Sequence, residues 1–125
     1  MQVTESREGT VLIIEPLEAR LDAQRAVAFK EILIAHVEAG NRQLVLDLSH
    51  VEFMDSSGLG AVVALLKRLG FDGVLVICGA RDPVAGVFRL TRMDRVIRLV
   101  ADRAEAVATA QGATAGKAET VSAAG

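Results

Sequence analysis

The residues best placed to do chemistry in this chain gather in one short stretch, His50-Val51-Glu52-Phe53-Met54-Asp55-Ser56-Ser57-Gly58-Leu59-Gly60. It sets two hydroxyls behind a carboxylate where the apolar spacing that follows predicts the start of a helix. Asp55 or Ser56 can accept hydrogen bonds from the free backbone N–H groups of a first helical turn, and Gly58 and Gly60 permit close backbone approach. A helix N-terminus is also electropositive. It favours an anion by about 0.3–1 kcal/mol, or ~2 kcal/mol in a partly buried geometry. The same three residues, Asp55, Ser56 and Ser57, serve equally well as a helix cap with a spare serine, and their spacing alone leaves both readings open.

Catalytic arrangements built on these residues fail on motif and order. A serine hydrolase of the triad type needs its nucleophile on a G-x-S-x-G elbow with a later histidine. Both histidines, His36 and His50, precede Ser56, and no such elbow occurs. Gly58-Leu59-Gly60 opens a G-x-G pattern, but Val63 stands at the third glycine position and no Gly-Lys-Ser/Thr loop exists, so a phosphate cradle has little support. His36 and His50 have no second ligand at metal spacing, which argues against a metal site. No catalytic residue, metal or cofactor is expected.

The elements that must hold this stretch follow from apolar periodicity and punctuation. Gln2 to Ser6 and Thr10 to Glu15 read as two strands joined at Arg7-Glu8-Gly9, a hairpin at the N-terminus. After Pro16, Asp22 is a good N-cap for a helix from Ala23 to about Glu38, with Gly40 beyond its end. Gln43 to Leu48 reads as a largely buried strand, His50 to Asp55 as a connection, and a helix begins around Ser57 and runs to Leu69. Val74 to Cys78 is a continuous apolar run suited to the middle of a sheet. Asp82-Pro83 is read as an N-cap with proline at the first helical position, opening a helix to about Thr91. Val96 to Val100 is the last strand, and Asp102 to about Ala110 a final helix. Strands alternating with helices after a hairpin imply an α/β fold with a mixed, mostly parallel sheet covered by about four helices. Functional sites in such sheets lie where strands end and helices begin, which points back to Leu48–Ser57.

Length and composition set the bounds. The chain has 125 residues, 51% hydrophobic and 24% charged, with a formal net charge of −2, which suits one globular domain. The domain is expected over residues 1–110, with 111–125, rich in Ala and Gly, forming a disordered tail. The longest uncharged runs, Ser56 to Leu66 and Ala106 to Gly116, span 11 residues each, against about 20 for a membrane span. The N-terminus lacks the pattern of a secretory leader, so a cytoplasmic protein is expected. The single cysteine, Cys78, lies in an apolar run and reads as a buried structural thiol. Residues 1–55 carry 5 basic and 10 acidic side chains and residues 56–125 carry 9 and 6, too mild a bias for nucleic-acid binding, and Trp and Tyr are absent. Arg89, Arg92, Arg95 and Arg98 read as a solvated rim.

The stretch Leu44 to Gly60, with its strand, its Asp55-Ser56-Ser57-Gly58-Leu59 turn and its following helix, closely resembles the signature of bacterial anti-sigma factor antagonists, the single-domain members of the STAS family. The likeness extends over roughly residues 3–108. It implies a STAS-type fold and a role in partner switching. The unphosphorylated antagonist binds an anti-sigma factor that is also a serine kinase, and so frees a sigma factor. The kinase phosphorylates the antagonist with ATP and releases it, and a phosphatase restores it. By that match Ser56 is the phosphoacceptor, and Asp22, Asp55, Ser56, Ser57, Gly58 and Leu59 form the partner-facing end, Gly58 and Leu59 through turn geometry and core packing. The chain is then a kinase and phosphatase substrate and no enzyme, with no contact to nucleic acid or membrane. A second implication is a STAS scaffold or accessory subunit of a regulatory or transport complex in which Ser56 and Ser57 only cap a helix. The sequence departs from the family pattern at Ala19, where glycine is frequent, at Arg20, where an acidic residue also occurs, and in the charged turn Thr91-Arg92-Met93-Asp94.

Overall fold

The computed structural model describes residues 1–112, folded as seven strands and four helices. Strands β1 (Val3–Glu8) and β2 (Val11–Pro16) form an antiparallel hairpin. Its turn is tighter than the sequence suggested. Arg7 and Glu8 stay in the strand, and Gly9 takes the first turn position with φ of 63°, which suits a two-residue loop on twisted strands. β3 (Arg20–Leu21) leads into α1 (Ala23–Glu38), β4 (Gln43–Asp47) follows, and β5 (Phe53–Met54) leads into α2 (Ser56–Leu69). β6 (Val74–Cys78), α3 (Asp82–Leu90), β7 (Arg98–Val100) and α4 (Arg103–Gly112) complete the order.

The main sheet runs β1-β2-β4-β6-β7, with β2, β4, β6 and β7 mutually parallel. The parallel strands advance in one direction across the sheet, and right-handed crossovers therefore put α1, α2 and α3 on one face. The other face is left to α4. The strand residues sort accordingly: Leu12, Ile14, Leu44, Leu46, Leu75 and Ile77 pack with Phe29, Leu33, Val62, Leu65 and Phe88. Val11, Ile13, Val45, Val76 and Cys78 pack with Ala106, Val107 and Ala110. Burial on both faces is why β4 and β6 read as unbroken apolar runs. Cys78 is buried as expected, and desolvation, reinforced by the nearby Asp47 charge, pushes its thiol up to about 12.

Among the described residues the only buried charged side chain is Asp47, at the end of β4. Arg103, the first residue of α4, donates to its Oδ2 through Nε at 3.1 Å and Nη2 at 2.9 Å, and to Glu15 Oε1 at 2.7 Å. This pins α4 to the sheet. Desolvation raises the Asp47 carboxyl, but hydrogen bonds from Ser49 and Arg103 outweigh it and hold the group below its usual range.

At three places the chain departs from what its sequence predicts. The N-cap of α3 is Arg81, and it makes no side-chain cap bond; Asp82 and Pro83 are already helical. The last strand is only Arg98–Val100, because a turn of 3₁₀ helix takes Met93–Arg95 and leaves Val96 exposed. Within that charged turn Arg92 adopts the left-handed conformation, φ of 64°. Arg89, Arg92, Arg95 and Arg98 are all exposed. α4 continues to Gly112, and the remainder of the expected tail, 113–125, lies outside the described residues. Among the described residues no helix is long and apolar enough to cross a membrane.

Candidate functional site

His50 to Asp55, expected to be a plain connection, instead contributes to a second, two-stranded sheet. β3 and β5 pair in parallel, Arg20 opposite Phe53 and Leu21 opposite Met54. Their pairing continues into the flanking loop, where Ala19 O accepts from Glu52 N at 2.7 Å and from Phe53 N at 3.1 Å. Each of these short strands ends on an aspartate that caps a helix. Asp22 accepts from Gln24 N at 3.2 Å at the start of α1. Asp55 Oδ1 accepts from Ser57 N at 2.9 Å and Gly58 N at 3.1 Å at the start of α2. The register of the small sheet therefore sets two helix N-termini side by side on one surface.

Gly58 fixes how closely they approach. A Cβ at this position would stand 2.2 Å from Leu21 O, so only glycine lets the first turn of α2 lie against β3. Gly60, expected to serve the same end, does not: a Cβ there meets nothing within 4 Å. Leu59 packs into the core beneath the turn.

Ser56 is the first residue of α2, one position earlier than the sequence pattern suggested, and it is exposed. Among the described residues its hydroxyl has no protein hydrogen-bond partner. Ser57, by contrast, is half-buried, with its N–H committed to the Asp55 cap. Asp55 is half-buried as well, so the cap holds the helix tip while the neighbouring hydroxyl faces solvent.

The surroundings mix charge with exposed apolar surface. Phe53, two residues before the Asp55 cap, and Val27, in the second turn of α1, are both exposed. The Arg20 guanidinium lies over the Phe53 ring, 4.2 Å from its centroid, and Arg20 Nε donates to Asp22 at 3.3 Å. Arg25 donates to Glu18 at 2.8 Å and stands 3.7 Å from Asp22. Desolvation raises the Asp22 carboxyl, yet the bonds from Arg20 and Gln24 N–H and the Arg25 charge outweigh it and lower the group below its ordinary value. In sequence Arg20 stands out only as a departure from the family pattern. Its stack on Phe53 crosses between strands far apart in sequence and leaves no local signal.

Among the described residues no three of His, Cys, Asp and Glu gather as a metal site. His36 lies 2.7 Å from Glu5 and His50 2.9 Å from Glu15, both as surface pairs. An open polar groove lined by Arg7, Thr10, Asn41 and Arg42 lies at the opposite end of the strands. The surface at Ser56 is an exposed helix tip held in place by the Asp55 cap.

Comparison with known proteins gives a consistent picture. The STAS domain profile matches residues 2–106. A Bordetella bronchiseptica protein provisionally described as the anti-sigma factor antagonist BtrV is 31% identical over 100 residues, 79% of this chain and 85% of that protein. The anti-sigma-B factor antagonist of Staphylococcus aureus is 35% identical over 72 residues, 57% of this chain and 67% of the relative. The crystal structure of an anti-sigma factor antagonist from Mycobacterium paratuberculosis superposes with a TM-score of 0.81 at 25% identity, covering 88% of this chain and 93% of that one.

Proposed function

This chain belongs to the STAS domain family, and from that premise we propose that it is a cytoplasmic anti-sigma factor antagonist whose partner binding is switched by phosphorylation of Ser56. In the unphosphorylated state it binds an anti-sigma factor that is also a serine kinase, and a sigma factor is set free. The kinase then transfers the γ-phosphoryl group of ATP to Ser56. An O–P bond forms at Oγ, the bond to the bridging oxygen breaks, and ADP and the hydroxyl proton leave. A serine phosphatase hydrolyses the ester and resets the chain. The protein is a binder and a substrate in this cycle and has no catalysis of its own.

The observation that carries this reading is the exposed Ser56 at the first position of α2, beside a cap satisfied by Asp55 alone. A kinase can reach that oxygen without unfolding anything. Magnitudes favour a switch that acts on binding. Phosphoserine adds about −1.5 to −2 charges. At a helix N-terminus such a charge is tolerated or mildly favourable. In an interface that already holds Asp22 and Asp55, mispaired charge costs about 2–5 kcal/mol, roughly 30-fold to several-thousand-fold in affinity. Release of the partner is therefore the dominant effect.

The test is incubation of the purified chain with ATP and candidate anti-sigma kinases, followed by mass spectrometry. The proposal expects one phosphate, on Ser56, and none on the Ser56→Ala chain. A partner that stays bound in the presence of ATP and never places phosphate on Ser56 would instead favour the accessory-subunit reading.

A further inference from the structure

Two arginines, Arg20 and Arg25, gather at the Asp22 cap, and the pairing of β3 with β5 brings that cap next to the one that precedes Ser56. Arg20 sits opposite Phe53, and the next pair is Leu21 with Met54. Asp22 and Asp55 follow directly, so their backbones stand about one strand spacing apart, near 5 Å. Side-chain alternation puts Arg20, Asp22, Phe53 and Asp55 on the outer side, opposite the buried Leu21 and Met54. The Arg20 side chain, 56% exposed, stretches along β3 toward the helix tip and ends against Asp22.

A phosphoryl group on Ser56 changes the balance of charges at this tip. It would stand next to Asp55 and near Asp22, with Glu52 exposed on the same stretch. Arg25 is already divided between Glu18 and Asp22. Arg20 holds Asp22 through Nε alone and shares the rest of its guanidinium with the Phe53 ring. Of the two cations it is the one less firmly engaged, and its planar fork matches a phosphate in two-point geometry.

We infer that Arg20 is the phosphate-binding residue of the phosphorylated form: it turns from Asp22 and Phe53 to pair with phosphoserine at position 56. This rests on Ser56 being the phosphoacceptor. The exchange frees the Asp22 carboxylate and uncovers the Phe53 ring, so the surface a partner meets changes at three side chains while the backbone stays in place.

The test installs phosphoserine at position 56 of the full chain by genetic-code expansion and follows its ³¹P resonance against pH. The chains compared are wild type, Arg20→Gln, Arg20→Lys and Arg98→Gln, the last removing an exposed arginine of β7. Free phosphoserine has its second pKa near 6. Arg20→Gln should raise the midpoint by roughly half a pH unit, the size of a partly exposed ion pair. Arg20→Lys should raise it less and Arg98→Gln not at all. Phosphorylation should also shift the Phe53 ring resonances in the wild-type chain and leave them unmoved in Arg20→Gln. Equal midpoints in wild type and Arg20→Gln, or an equal rise in Arg98→Gln, would overturn the inference. Because the phosphate is placed without a kinase, this result is independent of whether any kinase modifies Ser56, which the mass-spectrometric experiment reads separately.

Discussion

Gly58 and Gly60, two positions apart in the first turns of α2, should respond to the same substitution with opposite signs. Alanine gains up to about 1 kcal/mol over glycine in a helix interior. At Gly60 nothing lies within 4 Å of the added methyl, so Gly60→Ala should keep that gain. At Gly58 the methyl would meet Leu21 O at 2.2 Å, Met54 Cγ at 3.0 Å and Leu21 C at 3.1 Å. The Met54 side chain can shift, but the Leu21 carbonyl is part of β3 and also accepts from Asp55 N at 3.4 Å. Relief requires α2 to move away from β3. Overpacking of this kind costs about 1–3 kcal/mol and sometimes more, which exceeds the helical gain. Gly58→Ala should therefore be less stable than wild type by about 1–2 kcal/mol. For a domain of this size each kcal/mol is worth roughly 3–6 °C. Far-UV circular dichroism melts of the three chains should give Gly60→Ala above wild type and Gly58→Ala clearly below it. If Gly58→Ala melts at or above wild type, the close contact between β3 and α2 is refuted, and with it the side-by-side helix tips.

Other consequences follow from the same geometry. Asp55→Ala removes the acceptor for two backbone N–H groups and should cost about 0.5–2 kcal/mol in urea unfolding, with Asp55→Asn losing less. Ser56→Asp should leave the melting temperature nearly unchanged, because the added charge faces solvent at a helix N-terminus, and a large drop would count against the site described. Asp47 carries a folded-state pKa below its unfolded value near 3.9, so its contribution is present at neutral pH and fades as pH falls below about 4 and on through the folded value. Arg103→Met strands that buried carboxylate and should cost about 3 kcal/mol at pH 7 but less at pH 4, where protonation relieves it. Urea midpoints at the two pH values check the sign, and an equal loss at both would contradict the role given to the pair.

Much of the fold was legible because its signals are local and repeated. The apolar runs Leu44–Leu46 and Leu75–Cys78 identify strands buried on both faces, and Asp22 before sixteen helical residues identifies α1 and its cap. The order of strands and helices then dictates a mostly parallel sheet. What stayed hidden depends on contacts between distant residues or on too few residues to show a period. β3 and β5 hold two residues each, too short for alternation to register, yet their pairing is what sets the helix tips together. Gly58 and Gly60 look alike in sequence, and only the position of Leu21 separates them. Asp82-Pro83 carries a strong cap signal, but proline tolerates the second helical position as well as the first, and the helix starts at Asp82. The Asp47–Arg103 pair spans 56 positions and has no sequence signature. The position of Ser56, in contrast, was readable to within a residue, since an aspartate cap and a following apolar stripe define a helix start from either side.

A phosphate on Ser56 is proposed to eject a bound protein while the scaffold stays intact. The decisive measurement is isothermal titration of the proposed anti-sigma partner with the unmodified chain and with the chain carrying phosphoserine at position 56. At least a 30-fold weaker affinity for the phosphorylated chain, with superimposable circular dichroism spectra, is the result expected. Equal affinity of the two forms would contradict it.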